Sequence, residues 1–313
     1  MANETAQLFD MMFKHILKEA SGPAVVHFIN GLFDKNYKPN SKVAFLPNES
    51  VSEQKGKLTK IISDIPLSIN GDYYLIEAQI SDDLEIALRA FQYAFALAKN
   101  NRAISKDGSL IELELPEPRI IYFENKNKTP DIVTLKIKYP RGEFSYKIPT
   151  FKVLEKPVSE FGKKRLDLLL PFYLLKFRRE LQKKSVGSEK RKEIANRMTA
   201  LISDIDRILE RHSRENLISR EDVSLLVSEL SRMHSEIYGN YEEFKEVNMT
   251  LMEKVKTHHK EFEKRGEKRG IKLGEKRGEK RGEERGIKLG IRKALELMEQ
   301  GYKPSEIEKM VLT

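Results

Sequence analysis

The dipeptide Asn70-Gly71 separates two apolar runs, and it constrains the fold more than any other short feature of the sequence. Asn-Gly is a preferred pair for a two-residue type I′ hairpin turn, because both positions of that turn need a positive φ angle. Such a turn pairs Ile69 with Asp72 and fixes the register of the hairpin. In that register Asp64 lies directly opposite Glu77 on the neighbouring strand.

The two facing carboxylates, Asp64 and Glu77, form a candidate metal site. They occupy a non-hydrogen-bonded pair of the ladder, whose Cβ atoms are about 4.5–5.5 Å apart. Carboxylates at that distance repel each other unless one is protonated or a cation binds. Mg²⁺ binds few carboxylates and keeps several waters, which suits phosphoryl chemistry. Gln79 shares the face of Glu77, because strand side chains alternate.

A solvent-exposed polar face is the alternative interpretation of the same residues. The carboxylates would then pair with nearby lysines or arginines and have no catalytic role. The opposite face of the hairpin is predicted to face the core. Its side chains are those of Ile65, Leu67, Tyr74, Ile76 and Ala78.

The composition restricts both the chemistry and the compartment. The chain of 313 residues has no cysteine, which excludes disulfides, cysteine-based zinc sites and a cysteine nucleophile. Its first residues mix charges with apolar side chains, unlike a signal peptide. The longest apolar run, Leu166–Phe177, contains Pro171 and is too short to cross a bilayer. We therefore expect a soluble, cytoplasmic protein with no membrane partner.

Periodicity divides the chain into three predicted regions. Residues 1–155 alternate helical and strand patterns, which predicts a mixed α/β domain. Residues 156–257 lack strand patterns and predict a helical domain. The predicted helices are 5–34 with a break at Gly22-Pro23, Leu84–Lys99, Phe161–Lys184, Ser188–His212, and Ser219–Lys256 with Ser219 as its N-cap. The predicted strands are Ile61–Ile69, Tyr73–Ile80, Arg119–Phe123, Ile132–Tyr139 and Phe144–Ile148.

The third region, residues 258–313, contains a charged glycine repeat and a predicted terminal helical hairpin. Glycine recurs every fourth residue from Gly266 to Gly290, and residues 261–293 carry a net charge of +6. Each interior glycine costs a helix about 0.8–1 kcal/mol relative to alanine. The repeat is therefore either a solvated linker or a helix that forms on association, and its cations could contact phosphates. The hairpin is predicted around Gly301 and Pro304, with a capping box from Ser305 to Glu308.

The order of these features resembles the PD-(D/E)XK nuclease superfamily. Within it, the chain resembles the Rpn family of recombination-promoting nucleases, a group also described as transposases. The resemblance covers most of the chain, although each motif is short. The matching features are Asp10, Phe13 and Lys14 in the first helix, Phe28–Phe33, Asp64, Asn70-Gly71, Ile76–Gln79, Arg89, Tyr93, the run LLLPFYLLKFRREL and the glycine-repeat tail.

The resemblance implies a restriction-endonuclease-like mixed sheet flanked by helices, followed by an α-helical C-terminal region. It also implies a DNA endonuclease that uses Mg²⁺, or Mn²⁺ in its place. The metal ligands would be Asp64, Glu77 and the Ala78 carbonyl, and the catalytic residues would be Asp64, Glu77, Gln79 and Arg89. DNA is the expected partner, with self-association through the helical C-terminal region.

Gln79 stands where the superfamily usually has a lysine, although glutamine is the expected residue in the Rpn group. Glutamine can orient water or phosphate but supplies no positive charge. Arg89 is a candidate for that charge, or it forms an ion pair on the helix surface. Tyr93 is expected to pack in the core, and Lys14 to be a solvated lysine rather than a phosphate contact. A second hypothesis is therefore a catalytically weak scaffold that acts through oligomerisation and nucleic-acid binding.

Overall fold

The structure, a computed structural model, describes residues 2–47, 49–54, 57–62, 65–80, 85–100, 103–124, 129–182 and 186–300. The fold class is α/β, with a mixed six-stranded sheet flanked by helices and a helical C-terminal region. This confirms the fold class expected from the sequence pattern. None of the helices in these ranges is long and apolar enough to cross a bilayer.

The helices and strands follow the predicted order, with several additions. The α-helices are α1 (Ala2–Glu19), α2 (Gly22–Phe33), α3 (Glu85–Asn100), α4 (Val158–Lys164), α5 (Leu175–Leu181), α6 (Ser188–Arg214), α7 (Arg220–Tyr238) and α8 (Lys245–Glu299). The strands are β1 (Val43–Phe45), β2 (Glu49–Gln54), β3 (Lys57–Ile62), β4 (Ile65–Ile69), β5 (Asp72–Gln79), β6 (Ala103–Ile104), β7 (Ile111–Glu112), β8 (Glu117–Tyr122), β9 (Ile132–Tyr139) and β10 (Gly142–Lys152). Short 3₁₀ helices span Val153–Glu155, Asp167–Leu174 and Glu242–Phe244.

The main sheet has the strand order β1-β4-β5-β8-β10-β9. Its three central strands, β5, β8 and β10, are parallel, and the outer pairs are antiparallel. A parallel pair needs a crossover connection, and α3 lies in the connection between β5 and β8. Strands β2 with β3 and β6 with β7 form separate two-stranded sheets.

The hairpin of β4 and β5 has the register that the Asn70-Gly71 turn predicts. Ile69 pairs with Asp72 and Ile65 pairs with Ile76. Both turn residues have positive φ angles, 53° at Asn70 and 104° at Gly71, as a type I′ turn requires. The predicted register is confirmed as far as Ile65, the first described residue of β4.

The sheet is covered on both sides. On the side that we call the α1 face, Tyr74, Ile76 and Ala78 join a large core with α1, α2 and the helical region. On the other side, the α3 face, Leu75 of β5 packs with Ile120 and α3 in a smaller core. The predicted core residues of the hairpin are confirmed as buried: Ile65, Leu67, Tyr74, Ile76 and Ala78.

Two of the predictions of long helices in the helical region are wrong. The predicted helix Phe161–Lys184 is divided into α4, a 3₁₀ segment and α5. Arg165 ends α4 with a left-handed backbone (φ 57°), and Pro171 lies in the 3₁₀ segment, where it supplies no N–H. The predicted helix Ser219–Lys256 is interrupted after Tyr238, because Tyr241 adopts an extended backbone conformation.

The predicted N-cap of α7 is confirmed and has a further role. The Ser219 side chain accepts from the Asp222 N–H, and Asp222 accepts from the Ser219 N–H, which completes a capping box. Asp222 also accepts hydrogen bonds from the N–H and the hydroxyl of Ser21, at 2.7 and 2.6 Å. Because Ser21 is the N-cap of α2, one carboxylate joins the beginnings of two helices.

The chain forms two compact units, Met1–His258 and His259–Thr313. The large core of the first unit includes residues of the sheet and of α6 and α7. The boundary predicted at residue 155 stays a prediction. In the second unit, the glycine repeat is α-helical up to Glu299. The predicted capping box of Ser305 and Glu308 lies outside the described residues.

Gly31 is expected to tolerate no side chain. It lies in α2, and a Cβ atom built on it would stand 2.0 Å from the carbonyl oxygen of Lys164. We expect Gly31→Ala to lower the free energy of unfolding by about 1–3 kcal/mol, because the backbone of α4 has to move. Gly22→Ala is the matched control, since a Cβ there meets nothing within 4 Å. Urea unfolding of the two variants measures the difference, and equal stabilities would contradict the prediction.

Candidate active site

Glu77 is the centre of the candidate site. It lies in the middle of the sheet, on β5, where its backbone pairs with Ile120 of β8. Its side chain points to the α3 face and is only 4% exposed. The interpretation of this face as a solvent-exposed polar surface is therefore wrong at Glu77. Asp64, the predicted partner of Glu77, lies outside the described residues.

Two tyrosines on the α3 face lie near the carboxylate of Glu77. Tyr93 of α3 is buried, and its hydroxyl donates to the carbonyl of Pro47. Burial, followed by the negative charge of Glu77, raises the pKa of Tyr93 to about 12. The same two causes raise the pKa of Tyr146 on β10. Tyr93 belongs to the smaller core, as its predicted packing role requires.

Gln79 and Arg89 lie at the margin of this buried region. Gln79 is the last residue of β5 and is half-buried, and its carbonyl accepts from the Phe123 N–H at 2.8 Å. Arg89 is half-buried on α3, four residues before Tyr93. Residues four apart share one face of a helix, so Arg89 belongs to the side of α3 that carries Tyr93 towards the sheet. The structure thus places Glu77, Gln79 and Arg89 on one side of the sheet.

Ala78 differs from these three residues in its orientation. Its side chain lies on the α1 face and is 8% exposed, and its backbone pairs with Ile121 of β8. Only its carbonyl oxygen could bind a metal. The role of the Ala78 carbonyl as a ligand stays a prediction.

Lys152 is a residue of the α3 face that the sequence patterns did not indicate. Gln79, Tyr122 and Lys152 are aligned across β5, β8 and β10, so the lysine stands two strands from Gln79, about 10 Å away. Its amino group contacts Asp131 at 2.9 Å and Glu155 at 3.7 Å. The hydrogen bond to Asp131 raises the pKa of Lys152. Only the parallel pairing, which no short motif reveals, could have identified it.

Lys14 lines a small cleft near the beginning of β4. The cleft also contains Lys18, Phe45, Ile65 and Pro66. The amino group of Lys14 is 2.7 Å from Asp10, one turn earlier on α1, and 22% of its side chain is exposed. The prediction of a solvated helix lysine is thus incomplete, because Lys14 lies against the strand that follows Asp64 in the chain.

The donor atoms of the candidate site suit a hard cation. Glu77, Gln79 and the Ala78 carbonyl offer oxygen ligands, which Mg²⁺ prefers over nitrogen or sulfur. No cluster of three or more His, Asp or Glu side chains that could hold a metal occurs among the residues that the structure describes. A cation here would therefore depend on few protein ligands and on water or phosphate, which is usual for Mg²⁺.

Comparisons with known proteins assign neither a family nor a function to the chain. No family model, no curated protein and no solved structure matches the chain.

Proposed function

We propose that the protein is a Mg²⁺-dependent DNA endonuclease that hydrolyses phosphodiester bonds, acting in recombination or on mobile DNA. The observation that carries the proposal is the buried carboxylate of Glu77 on a hairpin whose register is fixed by Asn70-Gly71. The sequence prediction that Asp64 lies opposite Glu77 is part of this proposal. A carboxylate is rarely buried without a functional or structural reason, because burial in a low dielectric disfavours its charge.

In this proposal Asp64 and Glu77 would hold Mg²⁺ together with the Ala78 carbonyl. A Mg²⁺ ion held there would polarise the scissile phosphate and lower the pKa of an attacking water. The Gln79 amide orients that water or a phosphate oxygen through hydrogen bonds. Arg89 supplies positive charge to the pentavalent phosphate, the contribution that Gln79 lacks. Tyr93 and Tyr146 exclude water from the buried side of Glu77, which strengthens its attraction for a cation.

Plasmid nicking tests the proposal directly. The full chain is titrated with Mg²⁺ and with Mn²⁺, and EDTA provides the metal-free reference. The expected result is nicking that requires the metal and is lost in Asp64→Ala. Nicking that persists in EDTA, or an Asp64→Ala variant that nicks at the wild-type rate, would contradict the assignment of the metal site.

A second candidate function is a nuclease-derived scaffold that acts through oligomerisation and nucleic-acid binding. An exposed apolar stripe on α8 favours it. Ile287, Ile291, Leu295 and Met298 follow helical spacing, and each is between 48% and 63% exposed. Self-association would bury this stripe, and seven glycines in the repeat would permit close helix contact.

Deletion of residues 261–313 tests the scaffold. If the scaffold hypothesis is correct, the shortened chain has a lower oligomer mass in light scattering. It also requires weaker, salt-dependent DNA binding. If mass and affinity are both unchanged, the scaffold hypothesis fails, whereas the nuclease proposal depends on the nicking assay alone.

A further inference from the structure

The hairpin of β9 and β10 extends beyond the body of the sheet as a two-stranded ribbon. Residues 142–149 of β10 pair with 132–139 of β9 over eight residue pairs. Only Thr150–Lys152 of β10 pair with β8. We call 132–139 and 142–149 the ribbon. At the usual rise per strand residue it is about 26 Å long.

The two faces of the ribbon have different chemistry. Its inner face packs on α3: the Phe91 ring lies 5.3 Å from Tyr146 and 6.2 Å from Phe144. Val133 and Ile148, which are paired on the same face, are buried. The inner face around Tyr146 and Ile148 is therefore occupied by the protein's own core, although Phe144 and Tyr139 nearer the turn stay 44% and 57% exposed.

The outer face is polar and basic. Lys136 and Lys138 on β9 and Lys147 on β10 are exposed and point outwards, with Thr134 and Ser145 between them. One acidic residue, Glu143, contacts Lys136 at 2.9 Å. With Arg141 in the turn, residues 132–149 carry a net charge of +3.

We propose that the outer face of the ribbon binds the phosphate backbone of double-stranded DNA, an inference that rests on DNA being the substrate in the proposed function. The charge is complementary, and the dimensions agree. Alternate residues of a β-strand are about 6.6 Å apart. Successive phosphates of one DNA strand are about 3.4 Å apart along the helix axis, so two steps span about 6.8 Å. The major groove also admits a two-stranded ribbon. Thr134 and Ser145 supply hydroxyl donors for phosphate oxygens.

The ribbon lies close to the candidate site within the sheet, but its outer face is on the opposite side. Strand β10 is separated from β5 by β8 alone, so the strands are about 10 Å apart. The outer face of the ribbon points away from the α3 face, on which Glu77 lies. The ribbon would therefore hold a duplex outside the candidate site, and its role is binding rather than catalysis.

Lysines on an edge strand can also have a structural role, which the experiment has to distinguish from DNA binding. β9 is the last strand of the sheet, and charged side chains on an edge prevent two copies from pairing edge to edge. In that case the lysines would suppress self-association and make no contact with DNA.

The test measures binding of the full chain to a short labelled DNA duplex in EDTA, over about 50–200 mM salt. The triple variant Lys136→Gln, Lys138→Gln, Lys147→Gln is expected to bind more weakly, by a factor on the order of 10–100. Its slope of log K against log salt should fall by about 3, one unit for each phosphate that is no longer neutralised. Glu143→Gln should tighten binding severalfold, because it removes the only acidic side chain of the ribbon.

The matched control removes the same charge elsewhere. Lys190, Lys192 and Lys245 each stand within 3.2 Å of a glutamate, and their triple Gln variant should leave the salt slope unchanged. Three outcomes would each overturn the inference. The wild type does not bind DNA in EDTA, the ribbon variant keeps the wild-type slope, or the ribbon variant self-associates without any change in DNA binding. The two proposals fail separately. Binding through the ribbon without nicking in Mg²⁺ would overturn only the nuclease, and nicking with an unchanged slope would overturn only the ribbon.

Discussion

Glu77→Gln is expected to abolish metal-dependent nicking while the fold stays intact. The substitution keeps the shape of the side chain and removes the charge that would hold the cation. Loss of about 4 kcal/mol of transition-state stabilisation, typical of a metal acting as a Lewis acid, lowers the rate by about 10³-fold. Because glutamine has almost the same size as glutamate, we expect the packing around this buried position to be kept.

Glu112→Gln is the matched control for this experiment. Glu112 is an exposed residue of β7, and its loss changes the net charge by the same amount. We expect nicking by this variant to equal that of the wild type. DNA binding in EDTA should be retained in both variants, because neither residue belongs to the ribbon. If Glu77→Gln nicks at the wild-type rate, Glu77 is a structural carboxylate and the candidate site is wrong.

The register of the β4–β5 hairpin could be predicted from the sequence because it depends on local chemistry. Two adjacent residues that tolerate positive φ angles determine the turn, and the turn determines which residues face each other. The same local reasoning identified Ser219 as the N-cap of α7. It also placed Glu77 and Gln79 on one face, which the described part of β5 confirms.

The surroundings of Glu77 could not be predicted, because they depend on contacts that are distant in the chain. Tyr146 and Lys152 reach the α3 face through the parallel pairing of β5, β8 and β10. No periodicity in the sequence specifies which strands become neighbours. The burial of Glu77 by α3 and the ribbon was missed for the same reason, since alternation alone predicts a face and not what covers it.

The broken helices show a second limit of local patterns. Apolar spacing over Phe161–Lys184 suits an α-helix, but the 3₁₀ segment Asp167–Leu174 buries all of its side chains. A segment that is apolar on every side gives no amphipathic signal that separates an α-helix from a tighter turn. Its carboxylate, Asp167, lies 2.8 Å from the Nδ1 atom of His212, so burial here is accompanied by a long-range polar contact.

His234 is expected to make the fold sensitive to acid. It lies on α7, is fully buried and stacks near the rings of Tyr238 and Phe244, at 5.7 and 6.2 Å. Neither ring nitrogen has a hydrogen-bond partner among the described residues. Burial lowers the pKa of His234 to about 4. The folded protein therefore keeps this imidazole neutral at a pH where the unfolded chain protonates it.

The consequence is a loss of stability as the pH falls. Between pH 6.5 and about 4 the unfolded state binds one more proton than the folded state, so the free energy of unfolding falls by about 1.4 kcal/mol per pH unit. The contribution is absent above pH 6.5 and reaches about 3 kcal/mol below pH 4. Urea unfolding between pH 7.5 and 5 measures this slope.

His234→Phe should remove about 1.4 kcal/mol per pH unit from the slope between pH 6.5 and 5, because phenylalanine keeps the aromatic packing and does not titrate. His259→Phe is the control, since it makes the same substitution at an exposed position. Both variants have to be compared at pH 7.5 first, so that a packing defect is separated from the pH effect. A slope in His234→Phe equal to that of the wild type would mean that the buried imidazole is protonated in the folded protein. It would then need an anionic partner within the core of α7 and the neighbouring 3₁₀ helix.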